Sequence, residues 1–353
     1  MSKRPVLIIG PLPPPVGGAR VSFKLFLDYI LSSTNVPFRH FDLPVISDKV
    51  VDHLKTLLRM LNAIFFMPFS HSVVVFGSRN FCFSYGLVFL LASKCFGRKC
   101  SIRFFGGRPM LAFIHQKSFI RIFVLTIFRL VDRILLQTAI GAAEFPKALQ
   151  NKIGVIHGYR PLMAQAISRK QHYDEYVRFV FIGSITEDKG VEILLKAFKS
   201  LTAINEIKKQ LELHIYGSGS ETITSRMSHT KGVFCHGQVD NSSLRHVLSS
   251  YDILILPSLY DNEGHPGAII EAFMAGLPVI ASSLPGICEI VYDEKNGILV
   301  EPGDVEGLSM AMLRIVDNRE LTNNMAMNAL RDSVRFDAKV ILPRLARAFN
   351  IPL

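Results

Sequence analysis

Paired cysteines are missing from this sequence. Cys82, Cys95, Cys100, Cys235 and Cys288 are odd in number and show no C-x-x-C spacing. That excludes a disulfide framework and a zinc knuckle and fits a reducing, cytoplasmic setting. A signal peptide is not expected either: after Lys3 and Arg4 the apolar run Val6 to Gly10 is short and no small-residue cleavage site follows it, so it reads as a first buried strand. No apolar run reaches the roughly 18 residues that a membrane-spanning helix needs. Metal-ligand spacings such as H-x-x-H and D-x-D are lacking too, so neither a metal nor another cofactor is expected.

Acidic residues are scarce in one half only. Residues 1–160 hold 21 Lys and Arg against 6 Asp and Glu, which leaves 19 of the 40 basic and 23 of the 29 acidic residues to the remainder. The net positive field therefore belongs to the first half, and a polyanionic partner is expected to meet it. The same half carries apolar stretches at 60–69, 85–92 and 119–136. Apolar and basic surface together suggest an anionic membrane; no basic helix with interleaved base-reading side chains supports nucleic acid. At about 100° per residue, a helix over 119–136 would gather Lys117, Arg121, Arg129, Asp132 and Arg133 on one side. Such a helix either packs on a core with a solvated basic face or lies in the plane of a membrane, and the charge bias favours the second.

What is present is enough for two cores: 353 residues, 49% of them hydrophobic. Strands are expected at 177–184, 211–217, 252–257 and 277–282, with a helix beginning near Lys189, and less cleanly at 5–10, 73–77, 100–105 and 133–137. The alternation implies an α/β chain of two Rossmann-like, doubly wound domains. One covers residues 1–160 and the other 177–335, joined by a polar linker at 161–176. A segment at 336–353 completes the chain. Two parallel sheets facing each other would direct the C-terminal ends of their strands to one interdomain cleft, where the chemistry is expected.

Beyond the first strand, Gly17-Gly18-Ala-Arg20 precedes a helical pattern from about Val21. Gly17 and Gly18 would let backbone N–H groups approach an anion at a helix N-terminus. The loop lacks the spacing of both G-x-G-x-x-G and the P-loop, so on its own a plain tight turn is the better explanation. The more specific block is Tyr251 to Ser282, Y-D-I-L-I-L-P-S-L-Y-D-N-E-G-H-P-G-A-I-I-E-A-F-M-A-G-L-P-V-I-A-S. Glu263 follows a buried strand, and Pro266-Gly267 open a helix on which Glu271 lies one turn in. Both carboxylates could accept hydrogen bonds from one ligand's hydroxyls while the helix N-terminus receives a diphosphate.

This block, with seven residues between Glu263 and Glu271, closely resembles the signature of the family-4 retaining glycosyltransferases. Phe181-Ile-Gly183-Ser-Ile-Thr-Glu-Asp-Lys189-Gly190 resembles that family's strand, loop and lysine. Leu213 to Gly219 is similar to its G-x-G strand end, through Gly217, and Pro285-Gly286 through Asp304 to its closing segment. The resemblance is strong over 177–320 and weaker before. It implies a GT-B fold and transfer, with retention, from a UDP- or GDP-sugar to a glycan acceptor, in cell-envelope or extracellular polysaccharide synthesis. It implies that Glu271 holds the ribose, that Glu263 lies near the transferred sugar and that Lys189 neutralises the diphosphate, with Gly183, Gly264 and Gly267 lining the donor; His265, between the loop glutamate and the helix, either faces the same sugar or is a structural or solvated histidine. It also implies that the C-terminal helix crosses back to the first domain. The apolar, basic first half points to a lipid-linked acceptor and a peripheral place on the inner face of the membrane.

Two departures stand out. Ser184 occupies the place of an arginine usual in the family, so Arg20, Arg103 or Arg108 is expected to supply the missing cation. Phe105 stands where relatives carry a histidine near the sugar. These departures keep open a catalytically impaired scaffold partner, and the fold keeps open a nucleotide-sugar epimerase.

Overall fold

A computed structural model describes residues 4–13, 17–42, 50–113, 118–162, 175–219 and 221–351. The chain divides into two compact units, Met1–Tyr159 with Ala338–Leu353, and Arg160–Asp337. The helix over Ala338–Ala348 thus belongs to the first unit. The second unit begins at Arg160, and of the linker expected at 161–176, residues 163–174 lie outside the described residues.

In the first unit, β1 (Val6–Ile9), β2 (Phe38–Phe41), β3 (Ser72–Ser78), β4 (Lys99–Phe105), β5 (Arg133–Leu136) and β6 (Ile153–Val155) form a parallel sheet in the order β2-β1-β3-β4-β5-β6. Alternate side chains feed two cores. Leu7, Val73, Ile102 and Ile134 face the helices Val50–Phe66, Tyr85–Cys95 and Ser118–Leu130. Val6, Val74, Phe105 and Leu135 face the helices Gly18–Ser33 and Ala338–Ala348. Phe349 closes that second layer, with its ring centroid 5.3 Å from Phe76 and 5.9 Å from Phe26.

The helix expected over 119–136 is two elements. It ends at Leu130, and Arg133–Leu136 is β5, the strand expected at 133–137. The break falls at Asp132, whose carboxylate accepts from the Cys100 backbone N–H at 2.8 Å and pairs with Lys94 at 2.6 Å, tying the chain to the start of β4. Asp132 and Arg133 are therefore not on that helix, and Lys117 lies outside the described residues.

The second unit builds its parallel sheet from β7 (Tyr176–Ile182), β8 (Gln210–Tyr216), β9 (Val233–Gly237), β10 (Ile253–Leu256), β11 (Val279–Ser282) and β12 (Gly297–Val300), in the order β12-β11-β10-β7-β8-β9. The winding direction reverses between β7 and β10, and ligands of such sheets bind beyond the strand C-termini at that switch point. The loops leaving these two strands are zipped together: the Leu259 N–H donates to the Asp188 carbonyl at 2.7 Å. Gly190, between Lys189 and the helix Val191–Thr202, has a φ of +69°, and a Cβ there would lie 1.8 Å from the Pro257 carbonyl oxygen. Replacing Gly190 by alanine is expected to destabilise the second unit by about 2–4 kcal/mol, readable as a lowered denaturant midpoint.

Away from the switch point, Glu212, His214 and Tyr216 project from the face of β8 opposite Leu211, Leu213 and Ile215. His214 Nδ1 lies 2.9 Å from His236 Nε2, and the two rings stack at 5.1 Å between centroids. Burial holds both imidazoles below their ordinary pKa, although a hydrogen bond to Glu212 opposes this at His214. A base with a depressed folded-state pKa takes up protons on unfolding. Its stabilising contribution is therefore complete above the unfolded value near 6.5 and is lost as pH falls from there through the depressed folded value. The denaturant midpoint should drop between about pH 7.5 and 5.5, and His214→Gln should flatten that drop.

Candidate functional site

The switch point of the second unit assembles the charges expected from sequence. Lys189 ends a turn of 3-10 helix over Glu187–Lys189, and its Nζ meets Glu263 Oε2 at 2.5 Å. The same oxygen accepts from Ser258 Oγ at 2.9 Å. Both hydrogen bonds act on one carboxylate, so the loop after β10 is pinned to the loop after β7. Lys189 Nζ also stands 5.6 Å from the centroid of the Tyr260 ring, whose negative face suits a cation.

The second carboxylate is held separately. Glu271 lies on the helix Gly267–Met274, and its Oε1 accepts from Arg160 Nε at 2.5 Å. Both side chains are largely buried, at 7% and 17% exposure for Arg160 and Glu271. The guanidinium occupies the space beside Gly267, where an added Cβ would fall 1.9 Å from Arg160 Nη2. A cation at a helix N-terminus opposes the dipole. The carboxylate of Glu271 offsets that repulsion, and an anion bound at the same place would offset it further.

Several glycines are explained by close backbone approach. A Cβ on Gly217 would meet the Gly183 carbonyl oxygen at 1.8 Å, so the ends of β7 and β8 touch through main chain, and φ is +158° at Gly183 and +157° at Gly217. The segment that carries Gly264 is also closely packed, since a Cβ on Gly286 would meet the Glu263 carbonyl oxygen at 2.3 Å and that of Gly264 at 2.8 Å. His265 is buried. Its Nε2 lies 3.3 Å from Glu289 Oε2 and its ring sits edge-on to Phe336, so the loop histidine is engaged inside the unit.

The residues expected from the first half are in the first unit. Gly17 caps the helix that starts at Gly18, in extended conformation and with open space where a Cβ would stand. Arg20 donates to the Leu12 carbonyl, and burial lowers its pKa against the opposing effect of Asp42. Arg108 is paired with Glu144. Arg103 corrects the expectation made of it. It has no exposed surface, its guanidinium donates to the carbonyls of Leu136, Ile156 and His157, and burial pushes its pKa down to about 10. Arg103 therefore stitches β4 to the ends of β5 and β6 and is no free cation. Phe105 is a core residue beside Phe76.

The sequence reading missed Arg160 and Ser258. Arg160 reaches its partner across 111 positions, a separation that no local pattern encodes. Ser258 could have been found from the signature block itself, since a hydroxyl five residues before Glu263 follows the same strand end.

Two doubly wound units, each with a six-stranded parallel sheet, make up the GT-B class of α/β architecture, and the second unit sets a Lys-Glu and an Arg-Glu pair at its switch point. Residues 176–318, which lie within the second unit, match the family model described as glycosyl transferases group 1. The chain is 26% identical over 219 residues to the O-antigen biosynthesis glycosyltransferase WbnH of Escherichia coli, covering 60% of this chain and 57% of that protein. It is 29% identical over 164 residues to an uncharacterized glycosyltransferase of Methanocaldococcus jannaschii, 45% of this chain and 40% of the other. The aligned part thus spans only about half the length of these curated relatives. Among solved structures, HepE of Anabaena in complex with UDP and glucose superposes with a TM-score of 0.74 at 16% identity, over 98% of this chain and 99% of that one. At that identity the likeness shows the fold.

Proposed function

We propose that the chain is a retaining glycosyltransferase that moves a sugar from a nucleoside-diphosphate donor, UDP-linked in the first instance, to a lipid-linked glycan acceptor in envelope or extracellular polysaccharide assembly. The observation that carries this reading is the pair of largely buried carboxylates, Glu263 and Glu271, each held by its own cation beyond the C-terminal ends of β7 and β10. Glu271, at the start of its helix, accepts hydrogen bonds from the ribose hydroxyls. The N–H groups of that helix and Lys189 receive the diphosphate. Arg160 adds the cation that Ser184 does not supply. Glu263, fixed by Lys189 and Ser258, faces the transferred sugar. The departing phosphate, its charge neutralised by these cations, takes the acceptor's proton as the new bond forms on the same face.

UDP is favoured over GDP because HepE, which shares the fold, was solved with UDP and glucose. The O-antigen relative supports the glycan setting. The basic, apolar first half supports a lipid-linked acceptor and a peripheral position on the inner membrane face. Among the described residues no helix is long and apolar enough to cross a membrane.

The test is isothermal titration with UDP and with GDP, in the presence and absence of EDTA. UDP should bind, and EDTA should change neither affinity nor transfer rate, because fixed cations and helix N–H groups carry the diphosphate. Binding of GDP alone would reassign the donor. Binding of neither would favour a scaffold that has lost its donor, and a large loss in EDTA would count against metal independence.

A further inference from the structure

The helix Val50–Phe66 has two apolar stripes where a core needs one. Thr56, Met60 and Ala63 are buried against the sheet. At about 100° per residue, Leu54, Leu57, Leu58, Leu61 and Phe65 fall on the opposite side, and each is 51–66% exposed. The helix Ser118–Leu130 repeats the arrangement. Val124, Ile127 and Phe128 face the core, while Phe119, Ile122 and Phe123 are 57–66% exposed. Both helices cover the same face of the first unit's sheet, and Tyr85–Cys95 packs against each of them between. Their outward stripes therefore belong to one layer.

Charge says what covers this layer. Between residues 50 and 135 the only carboxylates are Asp52 and Asp132, and Asp132 is taken by Lys94 and the Cys100 N–H. Lys55, Arg59, Lys99, Arg121, Arg129 and Arg133 are exposed in the same span. A second copy docking through this face by a two-fold axis would set six exposed cations against six, with Asp52 the one carboxylate of the span on each side not already taken up by Lys94. An anionic bilayer meets both features, taking the apolar stripes to the depth of the acyl boundary while its phosphates meet the flanking guanidinium and ammonium groups.

We propose that the outer face of the layer formed by Val50–Phe66, Tyr85–Cys95 and Ser118–Leu130 lies in the plane of an anionic membrane, with Leu58, Leu61, Phe65, Phe119 and Phe123 as its inserted side chains. The assignment rests on the reading that the acceptor is lipid-linked, and it gives that reading a definite surface.

The experiment is sedimentation of the full-length protein with phosphatidylcholine vesicles, with and without phosphatidylglycerol. It compares wild type with Leu58→Glu/Phe65→Glu, with Phe123→Glu, and with Met310→Glu, a control at an exposed apolar position of the second unit. UDP titration and far-UV dichroism of each variant report donor site and fold independently of lipid. Wild type and M310E should bind the anionic vesicles, and added salt should weaken binding. The first-unit variants should lose on the order of tenfold or more in partitioning while keeping nucleotide affinity. Wild-type binding that these variants retain would overturn the surface and leave membrane association standing. Absence of wild-type binding would overturn both, with the titration still deciding the donor site. A wild-type dimer that ignores vesicles and that L58E/F65E dissociates would assign the face to a second copy instead.

Discussion

Replacing Glu271 by alanine should abolish nucleotide binding and destabilise the second unit together. The carboxylate is the hydrogen-bond acceptor of a guanidinium that is 7% exposed and wedged against Gly267. Removing it takes the neutralising carboxylate away from a buried cation at a helix N-terminus, a loss that costs on the order of 3–5 kcal/mol. The double variant Arg160→Met/Glu271→Leu removes both charges and should regain most of that stability, since an apolar pair of similar volume often replaces a buried ion pair without loss. It should regain none of the binding. Denaturant midpoints and calorimetric titration on the four members of this cycle separate the two effects. A Glu271→Ala protein with wild-type affinity for UDP would remove the donor site from this helix.

Lys189→Met should act on turnover. Its ammonium joins the loops after β7 and β10 through Glu263, so the substitution removes a positive charge from the place where the leaving phosphate gathers negative charge. One preorganised electrostatic donor is typically worth a factor of 10²–10³ in kcat, and a loss of about that size is expected from steady-state transfer to the acceptor. Lys189→Arg should not rescue it, because a planar fork does not reproduce a compact ammonium 2.5 Å from Glu263 and facing the Tyr260 ring. Ser258→Ala should cost only a few-fold, as Glu263 keeps its ionic partner. If Lys189→Met retained more than about a tenth of the wild-type rate, the lysine would serve to fix the loop and not to carry the phosphate.

Legibility in the sequence followed burial on both faces. β10, Ile253–Leu256, is an unbroken apolar run and β3, Ser72–Ser78, carries one over Val73–Phe76, and both were readable to within a residue or two. β2, Phe-Arg-His-Phe, sits at a sheet edge with half-exposed side chains, and β6, Ile-Gly-Val, is three residues long, so neither carries enough contrast to be seen. The stretch 119–136 misled for the opposite reason. Helix and strand there are both apolar, and the boundary is set by the tertiary partners of Asp132. In the site, Glu263, Glu271 and Lys189 were singled out through the resemblance of their blocks to a family signature, and the fold brings them to the loops and helix that follow β7 and β10. The missing cation was sought in Arg20, Arg103 and Arg108, whereas the guanidinium beside the helix start is Arg160, brought there by the fold from the first residue of the unit.

The helix Ala338–Ala348 makes the first unit discontinuous in sequence, and this reverses the order in which the units can finish during synthesis. Arg160–Asp337 is one unbroken stretch and holds its whole core as soon as it has left the ribosome. The first unit must wait for Ile341, Leu342, Leu345 and Phe349, so Phe26 and Phe76 stay uncovered while the second unit is translated. At ordinary translation rates that interval is roughly 10–35 s, long enough for a chaperone to hold the nascent first unit while the later-made one folds ahead of it.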